Sequence, residues 1–122
     1  MNHKKLEGMT HFIKAFQWSL LGFKAAWQNE TAFRQEVMGM VVLIPLGVWL
    51  GDTPLERAAL VVSLLFVLVV ELINSAIEAV VDRVGLENHP LSGRAKDLGS
   101  AAVFVALAIS AVVWMAVVFT KL

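Results

Sequence analysis

The stretch Glu71-Leu72-Ile73-Asn74-Ser75-Ala76-Ile77-Glu78-Ala79-Val80-Val81-Asp82 decides the fold. It continues an almost purely apolar run, residues 58–70, that neither Pro nor Gly interrupts. One helix is the simplest reading of both parts. At about 100° per residue, Glu71, Asn74, Ser75, Glu78 and Asp82 fall within one arc, and Leu72, Ile73, Ile77, Val80 and Val81 cover the other faces. A helix that would otherwise dissolve in lipid therefore carries a line of carboxylates along one side. Ionisable groups at membrane depth are costly, so they face a protein interior or water and mark function.

The composition agrees with a membrane setting. The chain has 122 residues, of which 58% are hydrophobic and 16% charged, too apolar for an ordinary soluble domain of this length. One domain is expected over 1–122. The formal net charge is zero, so no basic balance points to nucleic acid. The sequence contains no Cys, which rules out a disulfide framework and a thiolate metal site. The N-terminus is charged and leads into an amphipathic segment rather than the continuous apolar core of a signal peptide, so it reads as retained.

The elements expected are a surface helix and three spans. Residues 10–28 place Phe12, Phe16, Leu20, Phe23 and Trp27 on one stripe and Lys14, Gln17, Lys24 and Gln28 opposite. That pattern fits a helix packed on the rest of the fold or one lying at the membrane interface, and its aromatic and basic content favours the interface. Residues 31–50 form a first span, with Pro45 as an expected kink. Gly51-Asp52-Thr53-Pro54 is turn chemistry. Residues 54–84 form a second span, longer than the roughly 30 Å hydrocarbon core, so its charged end protrudes. Residues 85–94 read as the main loop, with Gly85, Pro90 and Gly93 as breakers. Residues 98–120 form a third, Ala- and Val-rich span, with Trp114 suited to an interfacial belt. The fold class is thus all-α and membrane-embedded.

Lys4, Lys5, Lys14 and Lys24 precede the spans, and Arg83, Arg94 and Lys96 flank the second loop, against only Arg57 and Lys121 on the other side. Basic residues stay cytoplasmic, which puts the N-terminus inside and the C-terminus outside. The acidic end of the second span, the long loop and the N-terminal helix then meet at the cytoplasmic surface.

Glu71 is expected about 13 residues, or roughly 20 Å, from the outer end of its helix. A carboxylate there is partly desolvated, which suits a general base. Glu78 lies two turns further on, and Glu30 sits just before the first span. Carboxylates from adjacent helices with open water positions are what Mg²⁺ prefers when it also holds phosphate oxygens. Arg94 and Lys96 add positive charge for phosphate. These are the parts of a phosphoryl-transfer site. A polar stripe alone also fits helix–helix contacts or an ion path, and Arg34 at i+4 is placed to neutralise Glu30. No Walker-type Gly-x-x-x-x-Gly-Lys-Ser/Thr sequence is present, and His89 alone reads as a loop residue.

Three segments carry a resemblance: Ala25-Ala-Trp-Gln-Asn-Glu-Thr-Ala-Phe-Arg-Gln-Glu36, Glu71 through Arg83, and Leu91-Ser-Gly-Arg-Ala-Lys-Asp-Leu-Gly-Ser100. They closely resemble the prokaryotic diacylglycerol kinases, over nearly the whole chain from about Phe12 into the third span. The resemblance implies a homotrimer in the bacterial inner membrane with sites shared between subunits. It also implies transfer of the γ-phosphate of Mg-bound ATP to diacylglycerol, giving phosphatidic acid. By position, Glu71 matches the general base, and Glu30 and Glu78 the metal-binding carboxylates. Glu87, Asn88, His89, Lys96 and Asp97 match nucleotide contacts, together with His11 and Trp18, which stand where the family usually has Arg and Tyr. Asn88 likewise replaces a Tyr. Trp18 keeps the aromatic character, whereas histidine is not a fixed positive charge at neutral pH. Ala15, Ser19, Lys24, Trp27, Phe33, Arg34, Glu36 and Ser100 match lipid contacts, Asn74 supports the centre, and Trp49 and Asp52 lie near the acyl chains. Relatives of the same fold phosphorylate undecaprenol, which makes undecaprenol kinase the alternative substrate reading. From other classes, an ion-coupled transporter would use the acidic stripe as its pathway, and a non-catalytic scaffold would bind no Mg-bound ATP.

Overall fold

The computed structural model describes residues 3–122, an all-helical chain of four helices: α1 (His3–Asn29), α2 (Thr31–Leu50), α3 (Pro54–Val84) and α4 (Pro90–Phe119). The last three are long and apolar enough to cross a membrane. Helix α3 is the spine of the bundle. Helix α4 packs along it most extensively, α2 packs on it to a lesser degree, and α1 contacts α2 only sparsely. The buried residues follow this order. Leu60, Ser63, Leu64, Val67, Glu71 and Asn74 of α3 are buried, whereas α1 buries only Ala26.

Local chemistry explains the boundaries. Thr53 caps α3, its Oγ1 accepting from the Glu56 backbone N–H at 3.1 Å, and Pro54 fills the first helical position. Both are favoured there, because the orphan N–H groups of the first turn need an acceptor and proline has none to orphan. Arg57 Nε donates to the carbonyls of Val48 and Gly51, at 3.1 and 3.0 Å, and so satisfies the end of α2. A Cβ on Gly51 would lie 2.6 Å from Arg57 Cγ, so glycine is required for that approach. At the same end, Lys121 Nζ donates to Asp52 at 2.5 Å and to Glu56 at 3.0 Å. The Asp52 carboxylate, first, and Glu56 hold the Lys121 ammonium above the usual lysine range.

Two boundaries differ from those read in the sequence. Helix α1 begins at His3 rather than at residue 10, because Lys4, Lys5, Leu6 and Glu7 are all good helix formers. Helix α4 begins at Pro90, so residues 90–94 are helical and the loop shrinks to residues 85–89. Pro90 opens the helix instead of breaking it. His89 is the N-cap, with its Nδ1 accepting from the Leu91 backbone N–H at 3.1 Å. Trp114, which the sequence suits to an interfacial belt, packs against α2. It is half-buried, and its indole ring lies 3.3–3.4 Å from where a Cβ on Gly47 of α2 would be. Helix α2 runs through Pro45 without interruption.

Leu60 is fully buried and Leu55 is 80% exposed on the same helix. Leu60→Ala should cost about 2–5 kcal/mol and Leu55→Ala about 0.5 kcal/mol or less, measured as unfolding free energies in detergent micelles.

Candidate functional site

Glu71 is 5% exposed on α3. Because α3 starts at Pro54, Glu71 lies 17 positions from that end, about 26 Å. Counted from Pro54, where the sequence reading also begins the span, the distance is 17 positions rather than about 13. The carboxylates of Glu78 and Glu30 act on Glu71 electrostatically, and Glu71 acts in the same way on Glu36. Four acids from two helices and a helix junction thus share one neighbourhood.

The junction places Glu30. It is the one non-helical residue between α1 and α2, with extended backbone at φ −117° and ψ 106°. Helical hydrogen bonding still runs through it: Glu30 N–H donates to Ala26 O at 2.9 Å and Arg34 N–H to Glu30 O at 3.2 Å. Its side chain makes no capping hydrogen bond, so the carboxylate is left for other partners. Arg34 does not neutralise it. The Arg34 guanidinium donates instead to Trp27 O at 2.7 Å, Gln28 O at 3.4 Å and Thr31 Oγ1 at 3.1 Å, capping the end of α1.

Glu78 is fixed from within its own helix, where Asn74 Nδ2 donates to Glu78 Oε1 at 3.3 Å. Two buried polar atoms beside this line, Asn74 Oδ1 and Ser75 Oγ, have no partner in the chain, and neither does Oε1 of Glu36. Ser75 lay in the acidic arc of the sequence but was not singled out as a site residue; its hydroxyl is small, and only the fold shows it buried.

Two clefts open onto this centre and a third lies farther along α3. One, of about 630 Å³ and mostly apolar, lies between α2, α3 and α4 and holds Glu36 and Glu71 at its polar end, with Ser110 and Trp114 farther along. A second, of about 550 Å³, runs between α1 and α3 and is lined by Ser19, Gly22, Asn29, Glu30 and Ser75. The third, of about 480 Å³, lies at the α3–α4 loop and gathers Glu87, Asn88, His89 and Lys96. Lys96 pairs with Asp82 across the two helices at 2.8 Å.

Other residues read as site candidates do not join these clefts within one chain. His11 and Trp18 line a separate depression on α1, their rings edge to face at 6.4 Å. Phe33 is buried, and Ala15 is half-buried. Lys24, Trp27, Asp97 and Ser100 are exposed. Trp49 is 78% exposed near the α2–α3 turn, where Asp52 pairs with Lys121.

Comparison with known proteins decides the family. The model of the prokaryotic diacylglycerol kinases matches residues 17–118. The chain belongs to the prokaryotic diacylglycerol kinase family. It is 51% identical over 115 residues to the diacylglycerol kinase of Haemophilus influenzae, covering 94% of this chain and 98% of that one. It is 53% identical over 107 residues to the diacylglycerol kinase of Pseudomonas aeruginosa, covering 88% and 87%. The Escherichia coli diacylglycerol kinase is 49% identical over 107 residues, 88% of each chain. The matched span takes in every acid of the central neighbourhood.

Arg34→Met should leave the α1 terminal carbonyls without their charged donor. Amide hydrogen exchange at residues 27–31 should then rise about tenfold, while exchange across the α3–α4 contact stays unchanged.

Proposed function

We propose that this chain is a lipid kinase that phosphorylates diacylglycerol with ATP at the cytoplasmic face of the inner membrane. The observation that carries the reading is the buried Glu71, flanked by Glu30 and Glu78, within a span that matches the family. Glu71 takes the proton of the lipid hydroxyl as the hydroxyl oxygen bonds to the γ-phosphorus. The bond from that phosphorus to the bridging oxygen breaks, ADP leaves with the electron pair, and the lipid departs as phosphatidic acid.

The donor set fits a hard divalent ion. Among the described residues no three His, Asp or Glu side chains converge closely enough to hold one by themselves. Glu30, free of capping, and Glu78, with Oε1 held by Asn74, supply two carboxylates. Phosphate oxygens and water would supply the remaining oxygen donors that Mg²⁺ favours. Bound there, Mg²⁺ offsets the charge on the phosphates.

The loop cleft with Glu87, Asn88, His89 and Lys96 takes the nucleotide, assisted by His11, Trp18 and Asp97. The apolar cleft ending at Glu36 and Glu71 suits the glycerol end of a lipid, with Asn74 supporting the centre. Ala15, Ser19, Lys24, Trp27, Phe33, Arg34 and Ser100, which lie outside that cleft within one chain, would meet the lipid from elsewhere in the assembly, and Trp49 and Asp52 would lie near the acyl chains. His11 and Trp18 lie off the loop cleft within one chain, which supports a homotrimer in which a neighbouring subunit completes the site. The three spans form one domain with the N-terminus cytoplasmic and the C-terminus outside. The basic residues near α1 and the α3–α4 loop support that orientation.

Purified protein in mixed micelles with radiolabelled ATP, given diacylglycerol and undecaprenol in parallel, tests the reading. Phosphatidic acid should be the main product; labelled undecaprenyl phosphate in its place would assign the other lipid, and ion flux through the protein in liposomes without ATP consumption would favour a transporter. Glu71→Gln should lower kcat by a factor of about 100 or more with assembly intact. Glu30→Ala and Glu78→Ala should instead raise the Mg²⁺ concentration needed for half-maximal rate, by about tenfold or more.

A further inference from the structure

Helices α3 and α4 come close where Gly99 faces Asn74. Both residues are buried. A Cβ built on Gly99 would collide with the Asn74 side-chain oxygen and sit 3.1 Å from its Cγ. The amide oxygen thus occupies the volume that any other residue at 99 would fill. The orientation of the amide follows from chemistry. A carboxylate that holds a cation only accepts hydrogen bonds, so Asn74 must turn its nitrogen toward Glu78, which leaves its oxygen on the α4 side. That oxygen is buried without a hydrogen-bond partner, a costly arrangement in a helix pair with no other reason for it.

Gly47 provides the contrast. Its missing Cβ faces Leu60 Cβ at 3.2 Å and the Trp114 ring at 3.3–3.4 Å. Those neighbours are apolar, and glycine there is explained by close helix packing alone. At Gly99 the neighbour is the one side chain that hydrogen-bonds a proposed metal carboxylate.

We infer that Gly99 is a positioning residue: its bare Cα seats the Asn74 amide, which in turn orients the Glu78 carboxylate toward the metal–nucleotide. This rests on the metal role assigned to Glu78 above. Groups that orient a ligand in this way change metal affinity by about 10–100-fold when removed.

The test is Mn²⁺ binding to the full-length protein in micelles with a non-hydrolysable ATP analogue, read by electron paramagnetic resonance, beside the Mg²⁺ dependence of turnover. Gly99→Ala should weaken Mn²⁺ binding by about tenfold or more and raise the Mg²⁺ requirement, with the KM for the lipid unchanged. Asn74→Ser should give a similar loss. In the Asn74→Ser background the new Cβ has room, so Gly99→Ala should add less than about a twofold further loss. Losses that multiply in the double variant would mean that Gly99 acts through helix packing, and the inference falls. If Gly99→Ala alone does not assemble, the double variant measured against Asn74→Ser decides in the same way. Glu78→Ala separates the two levels. If it weakens Mn²⁺ binding while Gly99→Ala does not, only the inference fails; if it leaves binding unchanged, the metal assignment fails and takes the inference with it.

Discussion

A carboxylate buried in a lipid-soluble helix must be solvated by the protein, and this requirement shapes the chain around α3. Glu71 is almost fully enclosed in a segment whose other faces are Leu, Ile and Val. Isolated in hydrocarbon, such a group would neutralise or unfold the helix. Its polar neighbours are Glu30 at a helix corner, Glu36 on α2, and Asn74, Ser75 and Glu78 within the next two turns of α3. The acids among them repel a charged Glu71 rather than solvate it, so the cluster calls for a counter-charge or a shared proton. The opposite end of the bundle carries no comparable load. There the apolar core closes on Leu60 and Val117, and the charges sit outside it as a small Lys121–Asp52–Glu56 cluster.

Much of this was legible in the residues. The acidic arc needed only a 100° step, and α3 has the bounds read from the sequence, 54–84, as does α2, 31–50. The turn at Gly51–Pro54 was visible because its residues are specific to turns, and the fold adds the partners that explain them. What escaped was anything dependent on two helices meeting. Gly99 reads as one more small residue in a small-residue span until α3 is laid against it. The contact of the Trp114 ring with the open space over Gly47 likewise appears only when the helices are assembled. Pro90 carried an ambiguous signal, since proline both ends and begins helices. Only the cap supplied by His89 resolves it.

The candidate site divides in the same manner. Glu71, Glu78 and Asn74 were found together because one helix fixes their phase. Glu87, Asn88 and His89 lie on the five-residue loop and Lys96 in the second turn of α4, which gathers them at one cleft, but only the family resemblance singled out the loop residues. His11 and Trp18 lie on an outlying helix whose contacts within the chain are few, and neither periodicity nor one subunit's packing brings them to the rest. Arg34 shows a further limit. Its spacing to Glu30 was right for an ion pair, yet the unsatisfied carbonyls at the end of α1 claimed the guanidinium first.

The corner at Glu30 leaves the first helix no slack. Two backbone hydrogen bonds bridge a single extended residue, and Arg34 clamps the carbonyls just before it. A joint so short transmits torque rather than absorbing it. Any tilt of the 27-residue lever of α1 would therefore turn the carboxylate at its fulcrum as well.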